Sequence, residues 1–350
     1  FVDSNLFFET NSGNLPQQEF TFLEVEPGLG NYKWIDINNN GIQELEEFEI
    51  AVFEDEGRYI RVLLPNQIFI RTYQNKLNYS LKLNFSNWKN SEYGFNRFLS
   101  KISNQFQYSL DKKTNLNLNP EIELNPFEID ENSLLAYNYS LKNVFYFNRA
   151  QKKYSLIFTY LENKSKNNFS FGSTRNSNTQ KKINFIHKIS DLYVFEVIGN
   201  DQVKTNWSEN FQDKNYDIKD YSINPKLTYF SGENNRINFI YKFSNISNLI
   251  GNQESLKQQN FGISLFLNQK EKRGFISEFN YYKNEFNGEL NSVISYVMMN
   301  GLQGGENYTW SFKFQRKLSK LLDINFIYLG RKSNSLRTIH NGSIQLKAIF

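Results

Sequence analysis

Ser343-Ile344-Gln345-Leu346-Lys347-Ala348-Ile349-Phe350 closes the chain, and its alternation decides how everything before it is read. Strand side chains point to opposite faces with period two. Ile344, Leu346, Ala348 and Phe350 therefore share one face, and Ser343, Gln345 and Lys347 share the other. The ends of compact domains normally fray. A chain that alternates through its last residue commits that residue to a sheet.

The same template recurs upstream. Leu77, Tyr79, Leu81, Leu83 and Phe85 alternate with Asn78, Ser80, Lys82, Asn84 and Ser86. Tyr154, Leu156, Phe158 and Tyr160 make a second apolar face, and Ile237, Phe239, Tyr241 and Phe243 a third. Phe261, Ile263, Leu265 and Leu267 follow, then Tyr308, Trp310, Phe312 and Phe314, then Leu322, Ile324, Phe326 and Tyr328. With the closing segment these make seven repeats of one pattern, which chance does not produce.

Composition says which environment suits such strands. Hydrophobic residues are 39% of the 350, a low share, yet aromatics reach 17%, with 33 Phe and 21 Tyr. A sheet that shows lipid on one face and keeps the other polar has this balance, because Tyr and Trp belt both membrane interfaces. The mean hydropathy of −0.60 excludes helical spans, as does the lack of any apolar run near about 18 residues. A soluble sandwich or lipocalin-like barrel shows the same periodicity with its faces inverted. The aromatics on nearly every apolar face, the terminal Phe350 and the amount of strand favour the membrane. With no cysteine, disulfides, thiolate metal sites and a lipidated N-terminal cysteine are all excluded. A net charge of +4 is too small to argue for nucleic acid.

The expected fold is therefore all-β: a transmembrane antiparallel up-and-down β-barrel of about fourteen strands, each near the roughly 9–11 residues that a tilted span needs. Short connectors are expected at 111–114, 148–151, 189–191, 231–234, 269–272 and 317–320. Long ones are expected at 88–97, 123–133, 164–178, 205–218, 246–257 and 285–305. Short periplasmic turns alternating with long outer loops is how such barrels are built. Residues 1–73 read differently, being acidic, free of sustained alternation and punctuated by Pro16, Pro27, Gly28, Gly30, Gly41 and Pro65. They are expected to form a small N-terminal periplasmic segment, with the barrel in 74–350. The chain begins Phe1-Val2-Asp3 without a leader, and the expectation is a mature or truncated product, the C-terminal part of something longer.

One local motif carries metal chemistry. Asp36 to Glu47 matches D-x-[DN]-x-[DN]-G-x5-E, which wraps oxygen ligands around a hard cation with glycine at the sharp turn. Asp36, Asn38, Asn40, the Ile42 carbonyl, Glu44 and Glu47 fill the ligand places for Ca2+. Gln43 departs from the usual apolar eighth position, and Gly28 to Ile35 cannot be an entering helix. The alternative is an Asn-Gly turn with solvated acids. Lys82, Lys226, Lys242, Lys313 and Lys347 alternate with apolar residues and should face the lumen, where they would tune a pore for anions or pair with acids in a polar interior. Catalysis has little to stand on. His187 and His340 are the only histidines, and Ser343, three residues past His340, falls on the opposite face of a strand. His340 is expected in a solvated turn and His187 in an interfacial belt.

Two stretches, Gly28 to Glu49 and Met298 to Phe350, resemble the C-terminal parts of large outer-membrane proteins of Bacteroidota. The terminal aromatic on an alternating strand resembles the closing strand that the barrel-assembly machinery recognises, which makes Ile344, Leu346, Ala348 and Phe350 the assembly signal. The resemblance implies a periplasmic domain joined to a barrel, within a multi-subunit envelope assembly. Its partners would be outer-membrane lipid and other outer-membrane or periplasmic subunits. The function expected is a structural or translocation component in protein export or outer-membrane biogenesis. The alternatives are a porin-like channel with a basic lumen and, third, a barrel-embedded hydrolase.

Overall fold

The computed structural model describes residues 1–16, 19–38, 40–64, 69–116, 130–149, 153–169, 172–232, 234–269, 273–319, 321–334 and 336–348. Strand β1 (Val2–Pro16) opens the chain. Four short strands follow, β2 (Glu19–Glu24), β3 (Tyr32–Trp34), β4 (Phe48–Ile50) and β5 (Tyr59–Leu64), forming a small sheet in the order β2-β5-β3-β4. The long strands then run one after another: β6 (Phe69–Asn84), β7 (Ile102–Asn115), β8 (Leu134–Phe147), β9 (Tyr154–Phe169), β10 (Gly172–Lys188), β11 (Tyr193–Ser208) and β12 (Tyr216–Phe230). They continue as β13 (Arg236–Asn248), β14 (Ser255–Gln269), β15 (Arg273–Asn287), β16 (Gly305–Lys317), β17 (Leu322–Ser333) and β18 (Ile339–Ala348). Among the described residues two short α-helices interrupt them, α1 (Gly94–Leu99) and α2 (Val293–Met298).

β1 and β6 to β18 form one fourteen-stranded sheet in which every neighbour is antiparallel and, apart from β1, next in sequence. Among the described residues β1 and β18 share no ladder, although their directions suit antiparallel closure. The register makes the faces explicit. Leu6 lies beside Tyr79, which lies beside Tyr108 and then Leu141. On the same face Phe145, Phe158, Ile183, Gly199, Ile223 and Phe243 form a row, as do Tyr241, Phe261, Tyr281 and Tyr308. Phe312 continues to Tyr328, and Phe326 to Ile344. All seven segments read from periodicity therefore present their apolar residues on one face. Much of that face is exposed: Phe239, Phe261, Ile263, Ile344 and Leu346 all are.

The opposite face is a polar ladder. Asn78, Ser109, Ser140, Asn163, Asn178 and Lys204 form one cross-strand row. The Ser109 hydroxyl donates to Asn78 at 2.7 Å and Ser140 to Asn163 at 2.7 Å, so the amides and hydroxyls satisfy one another across strands.

Several boundaries differ from the sequence expectation. The division at residue 73 falls inside β6, and Val2–Pro16 belongs to the large sheet, paired with β6 over fifteen positions. Polar residues outnumber apolar ones in that strand, which hid its alternation. Asp111 to Thr114 is the end of β7 and not a turn. Its charged residues look like a turn, yet Lys112 is buried. Much of 164–178 is likewise strand, because β9 and β10 extend to Phe169 and from Gly172. Losing the turn at 111–114 moves the first long connector and the N-terminal segment to the ends opposite those expected, while the other connectors keep theirs. Val2, Ala348 and the strand ends Phe147/Tyr154, Lys188/Tyr193, Phe230/Arg236, Gln269/Arg273 and Lys317/Leu322 share one end, here the turn end. The long 85–101 connector, expected among the outer loops, also lies there. The connectors 209–215, 249–254, 288–304 and 334–338 lie at the other, the loop end. So does the small sheet, inserted between β1 and β6. The expectation that the N-terminal segment lies on the side of the short turns is thereby corrected, since β1 carries the chain across before the small sheet begins.

Candidate functional site

The small sheet is held against the loop end by contacts with four separate parts of the large one. On its own side, β2 packs Phe22 on Phe48 with ring centroids 4.1 Å apart, and Phe48 meets Tyr59 edge-on at 4.9 Å. Phe48 and Tyr59 are buried, so the four strands enclose a small aromatic core. Gly30 and Gly57 let two backbones meet: a Cβ on Gly57 would lie 2.2 Å from the Gly30 carbonyl oxygen.

The docking ridge is 48–56. Arg331, near the loop end of β17, donates to both oxygens of Asp55 at 2.6 and 2.8 Å and to Glu56 at 3.0 Å. Its guanidinium lies 4.0 Å from the Phe53 ring centroid. Its side chain is 12% exposed, so water competes poorly for these bonds. The Tyr296 hydroxyl, on α2, donates to Glu56 at 2.9 Å and accepts from the Val52 N–H at 2.9 Å. Burial holds that phenol well above its ordinary pKa, which keeps it a donor at any working pH. Lys33 reaches Glu56 at 3.2 Å. Lys214, between β11 and β12, donates to the Phe48 carbonyl at 2.7 Å and pairs with Glu49 at 2.8 Å. Phe20 meets Phe169 of β9 edge-on at 5.4 Å. Contacts from β9 round to β17, with the covalent links to β1 and β6, carry the small sheet across the loop end.

An apolar cluster supports this ridge from beneath. Ile218, Ile246 and Leu256 interrupt the polar face of β12, β13 and β14, and pack on Met298, Met299 and Leu302 of the 288–304 connector, with Phe53 against them. Both methionines of the chain sit here. Sequence reading missed this cluster. The available signal was Val293 to Met299, an apolar run inside a supposed loop, together with apolar residues at polar-face positions.

The Asp36–Glu47 loop folds as the motif suggests for its turn. Asp36 accepts from the Asn40 and Gly41 N–H groups at 3.2 and 3.0 Å, and Asn40 from Ile42 at 2.6 Å. The twelfth position of the motif behaves differently. Glu47 is fully buried, with one oxygen accepting from the Ile37 N–H at 3.1 Å and the other from the Trp34 indole at 2.7 Å. Glu44 accepts from Asn38 at 2.8 Å. Among the described residues no three acidic, His or Cys side chains gather at metal-binding spacing. Nearby, burial and then the charge of Glu44 push the Glu46 carboxyl up.

Lys82, Lys226, Lys242, Lys313 and Lys347 all lie on the polar face of five strands, Lys242 at mid-strand and the others towards the turn end. Acids meet several of them. Lys82 pairs with Asp3 at 3.7 Å, Lys226 with Glu196, and Lys347 lies opposite Asp323. Ile344, Leu346 and Ala348 share the apolar face of β18, and Phe350 lies outside the described residues. His187 stacks on Phe185 at the turn end. His340 is not in a turn: it sits on β18, its Nδ1 2.8 Å from the Tyr328 hydroxyl, because cross-strand pairing captures it.

These features define a class by geometry: a large up-and-down antiparallel sheet with one apolar and one polar face and an inserted small sheet docked at one end. No protein-family model matches the chain, and no curated protein matches it. Among solved structures the chain is similar to CdiB from Acinetobacter baumannii, with a TM-score of 0.42 and 9% sequence identity over 98% of this chain and 60% of that one. The chain thus spans about three fifths of CdiB's length. A likeness of that size adds nothing to what the strand ladder already establishes.

Proposed function

We propose that this chain is an outer-membrane β-barrel with lipid against its apolar face and a polar lumen within. In this reading it serves as a structural or translocation component of a multi-subunit envelope assembly, in protein export or outer-membrane biogenesis. The observation that carries the membrane assignment is the apolar face, to which each of the fourteen strands contributes aromatic or aliphatic side chains while Asn, Ser and Lys predominate on the other. In water that face would be an aggregation surface far larger than soluble proteins tolerate. Among the described residues no helix is long and apolar enough to cross a membrane.

The docked small sheet favours a gated or structural component over a passive porin. A steady diffusion channel gains nothing from a domain clamped over its loop end by Arg331, Tyr296 and Lys214. Short turns at the periplasmic side would put the small sheet outside the cell. Planar-bilayer recording tests this: the account expects a silent wild-type protein, and large steady currents would give the reading to the porin.

Calcium at the Asp36–Glu47 loop is a separate proposal, supported by the ligand spacing and by the turn geometry at Asp36 and Asn40. Binding would draw Glu47 away from Trp34 and Ile37. If chelator leaves the melting of the small sheet unchanged, calcium has no place there.

A further inference from the structure

We propose that the 85–101 connector is a lipid-interface anchor that lies on the anionic headgroups of the leaflet at the turn end. This rests on the barrel reading above. Every other link between strands at the turn end is three to six residues long, whereas this one is long and rich in aromatics and cations. Its Tyr93, Phe95 and Phe98 are 75%, 69% and 50% exposed. Phe95 and Phe98 are three apart on α1 and so share one side of it. The connector holds its own shape: Ser91 accepts from the Tyr93 N–H at 3.3 Å and from Asn96 at 3.2 Å, and Trp88 stacks on Phe85 at 5.3 Å. These rings are therefore displayed by a folded segment.

Two observations choose lipid as the occupant. The first is continuity. Phe98 contacts Phe147 at 6.1 Å, and Phe147 contacts Tyr154 at 6.5 Å; both partners lie on the apolar face that the barrel reading turns to hydrocarbon. The connector therefore folds over the apolar rim. The second is charge. Lys89, Arg97 and Lys101 interleave with the aromatics, and none makes an ion pair among the described residues, while Glu92 is the only acid in the segment. Aromatic residues at the acyl boundary with cations at phosphate level is the pattern of a helix lying in the interface plane.

The chain has no cysteine, so a single introduced thiol reports one site. Phe95→Cys and Phe98→Cys carry nitroxide labels in phosphatidylethanolamine–phosphatidylglycerol vesicles, and collisions with oxygen and with a water-soluble nickel chelate are compared. Ile263→Cys on β14 marks the apolar face, and Leu29→Cys on the small sheet, 71% exposed, marks water. The expected result is oxygen-favoured collision at 95 and 98, intermediate between 263 and 29. Values at 95 and 98 equal to those at 29 overturn the anchor while Ile263 in lipid keeps the barrel. Shielding of 95 and 98 from both reagents, as under a protein partner, also overturns it. An Ile263 label equal to Leu29 overturns the barrel reading and the anchor with it.

Discussion

Replacing Arg331 by Met should free the small sheet from the loop end. Arg331 makes three charge-assisted hydrogen bonds to Asp55 and Glu56 at 2.6 to 3.0 Å. Hydrogen bonds to charged groups contribute about 1.5–3 kcal/mol each, and breaking a buried pair leaves its partner charge uncompensated. Two terms reduce the sum. Asp55 is 28% exposed and regains some water, and Glu56 keeps Lys33 at 3.2 Å. A net loss of about 3 kcal/mol is reasonable, which raises the undocked population about 100-fold. Bilayer recording of R331M should show frequent openings against a silent wild type. The double variant D55N/R331M should open less than R331M, because it removes the stranded carboxylate. Equal silence in wild type and R331M, with correct folding shown by strand circular dichroism, refutes the latch.

Leu256→Ala empties a fully buried site under the docking ridge and should cost about 2–5 kcal/mol, read as a lower melting temperature in detergent. Gly330→Ala places a Cβ 2.2 Å from the Trp310 ring, so it should destabilise the β16–β17 pair by about 1–3 kcal/mol and shift Trp310 fluorescence. Glu46→Gln tests a pH dependence. Its carboxyl pKa is raised in the folded state, so the stability linked to it is complete below the unfolded value and is lost as pH rises through the raised one. The variant should therefore match wild type in acid and exceed it slightly at neutral pH, measured by hydrogen exchange in Glu19–Leu64.

The large sheet was legible because period two survives wherever Phe, Tyr, Leu and Ile occupy one face, as in Leu77–Phe85 or Tyr308–Phe314. It was illegible where that contrast fades. In β1, Glu9 to Asn14 offers no apolar stripe, and the strand shows itself only through its partner β6. Asp111 to Thr114 reads as a turn because charge stands in for grease, although Lys112 is covered. One missed strand at the start and one false turn moved the small sheet to the wrong end. The docking site was harder still. Arg331 pairs with residues some 275 positions earlier, and nothing local to either segment announces the other.

The central claim is that one face of this sheet meets hydrocarbon and the other an aqueous interior. A nitroxide scan along β13 from Ile237 to Phe243 in lipid vesicles tests it most directly. The account predicts a period of two, with labels at 237, 239, 241 and 243 colliding with oxygen and those at 238, 240 and 242 with the nickel chelate. A scan in which both sets report water, or in which the odd positions are sealed from both reagents, would contradict it.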